Sequence, residues 1–431
     1  MKLRPRTLLD PVLKVGFLFA MSTISINIAD EGTAGSQWLP DSAPLPASEV
    51  HAAVFSPLHL FAHTVRSLVV VGASAPMLAT AQRMSDSMQI HLIRLIHQQR
   101  KSKVSYRRLT GVEPGSIAVD LAEIGTAEGM AKVKAFADKV KADAIVSDDD
   151  WTLLCLARNR ALFEPACRLL APDADTLEQL WDKDRQVQLA RESGFNVLPT
   201  YTLRSDADVD AIEDSEFPVV VRPSYLNSAS PNFKAKVLAS RDEVRRLFAE
   251  TVWSHPPLVQ RFCLGPNLIL HGMRAHSGEF LKLQLFNVYR KYHGFSASME
   301  PVPLPPELAR SARRFVETAG LTGPFHFDLL VNSAENRIYF LEINTRLGGS
   351  TAKAIQLGYD EPALLFRAFN AVPPRLLPRL AAHPRVTSVR LNLIQAWNDL
   401  LNRRDPLAYP QLPRMQSVLA ALVEIQQVRH G

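Results

Sequence analysis

The sequence predicts an α/β domain followed by a larger α+β body, and three observations carry that prediction. Short apolar runs alternate with helical stretches from Arg66 to about residue 172, the pattern of βαβ units on a parallel sheet. Strand-like segments then dominate from about 200 to 350, ending in FHFDLLVN-SAEN-RIYFLEIN, where two aromatic and β-branched runs flank a polar turn. A chain of 431 residues is also too long for one ordinary domain and suggests two or three.

Residues 1–65 read as an arm and linker. Lys2, Arg4 and Arg6 precede an apolar run from Val12 to Ile28, but Lys14 splits it and Ser22, Thr23, Ser25 and Asn27 dilute it. No uninterrupted stretch reaches the ~20 apolar residues of a membrane span, so no stable membrane insertion is expected. At 47% hydrophobic and 21% charged the composition is that of a soluble globular chain. The net charge of +6 is dispersed, without a Lys/Arg run interleaved with aromatics, which favours anionic small molecules over nucleic acid as partners. Cys155, Cys167 and Cys263 show no C-x-x-C spacing, which argues against a zinc site or disulfide framework and for a reducing, cytoplasmic location.

In SLVVVGASAPMLATAQRM a buried strand runs through Gly72 into an amphipathic helix, and the single glycine is not a dinucleotide fingerprint. IHLIRLI and SIAVDLAEIG are further strands, a helix is expected over 126–141, and DAIVSDDDW returns to a buried strand. Asp148, Asp149 and Asp150 follow at its carboxyl end, where open α/β sheets present ligands, although at least one of them suits an N-cap. One helix is expected over 173–195, closed by Gly194. Pro218 to Val221 is an apolar strand ending at Arg222; PPLVQRFCLGPNLILHGMRA is a strand, a linker and a second strand; two more strands follow to about 304. Beyond Asp360 come the helix EPALLFRAFN and two amphipathic helices near 386–402 and 414–428. Their apolar faces are expected to dock on the body or on a second subunit, a homodimer being one such assembly.

Asp328 and Glu342 fall on the paired strands of the hairpin. Alternation puts Glu342 and Asn344 on one face and turns Ile343 into the core. Two carboxylates and an amide oxygen suit a hard divalent cation of the magnesium type. Arg346 can reach a phosphoryl or carboxylate oxygen bidentately. A solvated acidic edge is the plainer alternative, but Glu342 sits inside the apolar run YFLEI, where an unpaired carboxylate is costly.

The run LEINTRLGGSTAKAIQLGYDEPAL, with E-x-N-x-R at Glu342, Asn344 and Arg346, resembles the end of an ATP-grasp domain in the style of the carbamoyl-phosphate synthetase large subunit; the resemblance extends from about Leu177 to Asn370. It implies a Rossmann-like pre-ATP-grasp α/β domain over 66–176, a two-lobed α+β ATP-grasp domain over 177–372 and a C-terminal helical extension over 373–431. It also implies roles. Lys183, with Arg185 as the near alternative, and Arg222 would meet ATP phosphates; Gln260 and Arg261 would lie at the adenine hinge, Asn267 at the ribose and His293 at a phosphate. Asp328, Glu342 and Asn344 would bind Mg2+, with Mn2+ as an alternative ion, and Arg346 together with Arg222 would steady the transferred phosphoryl. The implied reaction joins a small-molecule carboxylate to an amine, or another nucleophile, through an acyl phosphate. The loop from Leu226 to Ser230 lacks the family's glycines, and Arg261 and Asn267 stand where carboxylates are usual. These departures keep a non-catalytic nucleotide-binding or scaffold protein as the alternative.

Overall fold

The computed structural model describes residues 63–72, 74–96, 117–225, 228–292, 295–401, 403 and 405–430, and three sheets of four or more strands position the site. The first sheet is wholly parallel, in the order Ile117–Asp120, Gln89–Ile96, Ser67–Val71, Ala144–Ser147, Arg168–Leu169. Its central strand is SLVVV, buried throughout, as a parallel strand covered on both faces must be. Gly72, at φ +112°, turns that strand toward the helix Ala75–Met84, which Ser74 caps. The helix Ala127–Lys139 is capped by Thr126, and Asp149 caps the helix Asp150–Arg158 by accepting from the Thr152 N–H.

The second sheet is antiparallel, in the order Lys236–Leu238, Val219–Arg222, Leu258–Arg261, Thr200–Thr202. Val219, Val221 and Val259 bury one of its faces against Leu203, Val209, Ile212, Val244 and Leu247. The third sheet has seven strands: Val386–Thr387, Phe295–Val302, Phe280–Tyr292, Asn267–Arg274, Gly323–Asn332, Arg337–Asn344 and Asn196–Val197. Its only parallel pairing is the last. One face packs an aromatic cluster of Phe195, Phe315, Phe325, Phe327 and Phe340. The other shares a core with the first sheet through Met77, Ile269, Phe286, Tyr359 and Phe366. That shared core is what holds the carboxyl end of the parallel sheet near the 323–344 hairpin.

Two expectations need correction. The segment 173–195 is not one helix but two, Ala174–Trp181 and Lys183–Glu192. Asp182 breaks it at φ −76°, ψ 109°, where its carboxylate accepts from the N–H groups of Asp184 and Arg185. An acidic residue that can cap prevails here over continuous apolar periodicity. The helix expected from 386 begins only at Val389, capped by Ser388, because Val386–Thr387 is spent on pairing with Ser298 and Met299.

Candidate functional site

The hairpin of Gly323–Asn332 and Arg337–Asn344 sets Asp328 directly opposite Glu342. The register then steps to Leu329 opposite Phe340, so Leu341 is an additional residue, a β-bulge. Strict alternation would place Phe340 and Glu342 on one face. The bulge breaks it, letting Phe340 and Ile343 both enter the aromatic core while Glu342 and Asn344 share the opposite face with Asp328. The Leu341 carbonyl also accepts a hydrogen bond from Arg222 Nη2 at 2.8 Å.

Charge converges on Glu342 from two other elements. Lys183, the first residue of its helix because Asp182 caps there, donates from Nζ to Glu342 Oε2 at 2.8 Å. Arg222, the last residue of Val219–Arg222, brings Nη1 to 3.7 Å from the same oxygen. Lys183 holds the Glu342 carboxyl far below the usual carboxylate range, against desolvation and with help from Arg222. Asp328 moves the opposite way, raised by desolvation and then by the negative charge of Glu342. The Asn344 amide donates to Asp328 Oδ2 at 3.3 Å. Among the described residues no group of three or more His, Cys, Asp or Glu could hold a metal ion. The donor set is therefore two carboxylates and an amide. It fits a magnesium ion, which takes one or two carboxylates and fills other positions with water and phosphate, and a cation between Asp328 and Glu342 would relieve the repulsion that raises Asp328.

The structure thus brings Lys183, Arg222, Asp328, Glu342 and Asn344 together. Arg346 points elsewhere: Nε and Nη2 form a bidentate pair with Asp150 at 2.6 and 2.9 Å, at the carboxyl end of the parallel sheet. Arg261 is held by Glu335 at 2.8 Å, and Gln260 is buried with its amide donating to Thr200 Oγ1. The Asn267 carbonyl, which the sequence offered to a ribose hydroxyl, accepts instead from Lys291 Nζ at 2.6 Å. His293, together with Leu226 and Asn227 of the glycine-poor loop, lies outside the described residues.

Two cations escaped the sequence reading. Lys234 is close enough to pull down both the Asp328 and Glu342 carboxyls. Lys291 is pushed down to about 8 by desolvation, with Asp405, Cys263 and Asp328 opposing. A lysine within an aromatic strand such as FNVYRKY was the available signal for Lys291; nothing local marks Lys234.

No protein-family model matches the chain. Over 198 residues it is 26% identical to the carbamoyl phosphate synthase large chain, C-terminal section, of Methanopyrus kandleri, covering 43% of this chain and 36% of that protein. The chain therefore spans about a third of the length of that curated relative. Among solved structures it is similar to the ADP complex of N5-carboxyaminoimidazole ribonucleotide synthetase, with TM-score 0.57 and 11% identity over 84% of this chain and 96% of that one. Biotin carboxylase from Campylobacter jejuni matches with TM-score 0.53 and 16% identity, over 73% of this chain and 72% of the other. The L-amino acid ligase from Bacillus licheniformis matches with TM-score 0.53 and 14% identity, over 71% and 74%. The sequence relative and these structural neighbours all belong to the ATP-grasp superfamily, and this chain shares their fold.

Proposed function

We propose that this chain is an ATP- and magnesium-dependent ligase that joins a carboxylate to an amine, or another nucleophile, through an acyl phosphate. The observation that carries the reading is the convergence of Lys183 and Arg222, from two separate elements, on a glutamate already paired with Asp328. Cations fixed in a partly buried site are suited to phosphate oxygens, and phosphoryl transfer depends on such positioning and charge neutralisation rather than on a side-chain nucleophile. Bound by Asp328, Glu342 and Asn344, a magnesium ion (or manganese) would neutralise further phosphate charge. Lys183 and Arg222 would then turn from Glu342 to the nucleotide. Arg346, anchored by Asp150, would face the reacting group from the side of the parallel sheet.

In this reading 66–176 is a Rossmann-like pre-ATP-grasp domain, 177–372 the two-lobed ATP-grasp domain and 373–431 a helical extension, with residues 1–65 preceding them. The carbamoyl phosphate synthase relative and the amino acid ligase neighbour support the general kind of reaction. Free thiols at Cys155, Cys167 and Cys263 accord with a cytoplasmic setting, and no helix among the described residues is long and apolar enough to cross a membrane. The competing reading, nucleotide binding without catalysis, is favoured by the Lys183–Glu342 pair, which already occupies a metal-facing oxygen. ADP release across a panel of amino acids and small carboxylates tests the proposal, with substrate-dependent release expected. Calorimetric titration of ATP and GTP, with and without magnesium, separates the two readings. Metal-independent binding that survives both Asp328→Ala and Glu342→Ala overturns the ligase.

A further inference from the structure

The helix Val389–Leu400 lies inside out. Its polar residues Asn392, Gln395 and Asp399 are buried, Asn392 completely, whereas Val389, Leu393, Ile394 and Trp397 face solvent, Trp397 with 55% of its surface exposed. The buried side is a polar seam to the body. Arg290 of the strand Phe280–Tyr292 donates to Gln395 Oε1 and Asn398 bonds the Tyr292 hydroxyl, while Asp399 Oδ2 accepts from Ser417 of the neighbouring helix. Arg414–His430 packs beside it through Ala396, Val418 and Ala421, small residues that allow close approach, and exposes Met415, Leu419 and Val423 at four-residue spacing. With Leu401, eight large apolar side chains are exposed along this pair of adjacent helices. A surface helix ordinarily turns its polar side outward.

We infer that this face is the self-association surface of the protein, covered by the same face of a second copy. The exposed apolar area is roughly 600 Å² or more, at the upper end of what a monomer leaves bare and near the ~800 Å² each partner contributes to a standard interface. Side-by-side helices with stripes at i, i+4 spacing can pack against a two-fold copy of themselves as a four-helix layer, an isologous contact. Charge permits it, because among the described residues from 389 to 426 no acidic residue is exposed, and the exposed arginines, Arg390, Arg403 and Arg414, stand near the ends of the two helices. A membrane-surface helix, by contrast, keeps a charged face toward water, and here that side is buried.

The inference rests on no part of the ligase reading, because oligomeric state is measured without nucleotide. Sedimentation equilibrium of the full chain should give twice the 47.9 kDa protomer mass. Trp397→Ser combined with Leu419→Ser should weaken association at least ~100-fold, as expected for central apolar anchors, with the far-ultraviolet circular dichroism spectrum of the folded chain unchanged. If that variant does not fold, Met415→Gln alone should weaken association by about tenfold. Leu376→Ser, at a 99% exposed leucine off the patch, should change nothing. A wild-type monomer at every concentration overturns the inference. So does a dimer that persists in the double variant, or a monomer whose tryptophan emission shifts to the blue on vesicles of anionic phospholipid in the wild type but not in Trp397→Ser.

Discussion

Glu342 and Glu361 serve opposite purposes in the same molecule. Glu361 is completely buried and saturated: His271 Nδ1 lies 2.9 Å from Oε1, Thr351 donates to Oε2 at 2.5 Å, and His271 Nε2 meets Ser350 Oγ at 2.9 Å. Each oxygen and ring nitrogen in that chain has a hydrogen-bond partner. Around Glu342 one oxygen is shared by Lys183 and Arg222, and the neighbouring Asp328 is raised by desolvation and by the charge beside it. The contrast teaches that a buried carboxylate marks structure when its partners are complete, and a binding site when its surroundings hold more charge than they settle.

The largest effect should come from the saturated region. Glu361→Ala leaves His271 and Thr351 facing a void and should cost about 3–5 kcal/mol in denaturant unfolding, while nucleotide affinity of the folded fraction stays unchanged. A loss near zero would erase the distinction drawn above. Glu342→Gln keeps the hairpin's shape but removes the charge that Lys183 and Arg222 face, so stability should fall by about 1–3 kcal/mol, and magnesium-dependent turnover should fall about 10²–10³-fold, the scale of one preorganised electrostatic group. Unchanged turnover at saturating magnesium would remove Glu342 from the metal seat.

Gly348 tests where the two regions touch. A Cβ there would stand 2.4 Å from the His326 ring, which stacks on His271 and belongs to the strand residue paired with Asn344. Gly348→Ala should therefore cost about 1–3 kcal/mol by overpacking and also weaken nucleotide binding. An effect confined to stability would show the regions to be independent. Arg222→Ala should raise the nucleotide dissociation constant by roughly tenfold, about 1.4 kcal/mol, with little change in maximal turnover.

The smallest effect concerns pH. Because Asp328 is raised, it retains its proton at pH values where an ordinary aspartate, with a pKa of about 3.9, has lost it. Magnesium must displace that proton, so metal affinity measured by calorimetry should climb with pH above about 5 rather than level off there. Asp328→Asn should flatten the profile; a wild-type profile already flat would place Asp328 outside the metal's reach.

The amino-acid sequence by itself determined what neighbours along the chain decide. Aromatic runs on either side of SAEN put Asp328 and Glu342 on paired strands, Gly72 turned a strand toward a helix, and an aspartate among three at 148–150 capped a helix. These follow from periodicity and hydrogen bonds that reach only a few residues. Tertiary structure decided the rest. The bulge at Leu341 depends on Phe340 and Ile343 both being drawn into one aromatic core. Lys183 meets Glu342 across 159 residues, and Arg346 meets Asp150 across 196. Arg261 and Asn267, read as nucleotide contacts, found Glu335 and Lys291 first. A charged side chain's partner is whichever opposite charge the packed sheets bring within a few ångströms, and the strength of that pairing depends on water being excluded around both. Neither the distance nor the exclusion exists until the three sheets have closed on one another, so the identity of the site's carboxylates was local information and their partners were not.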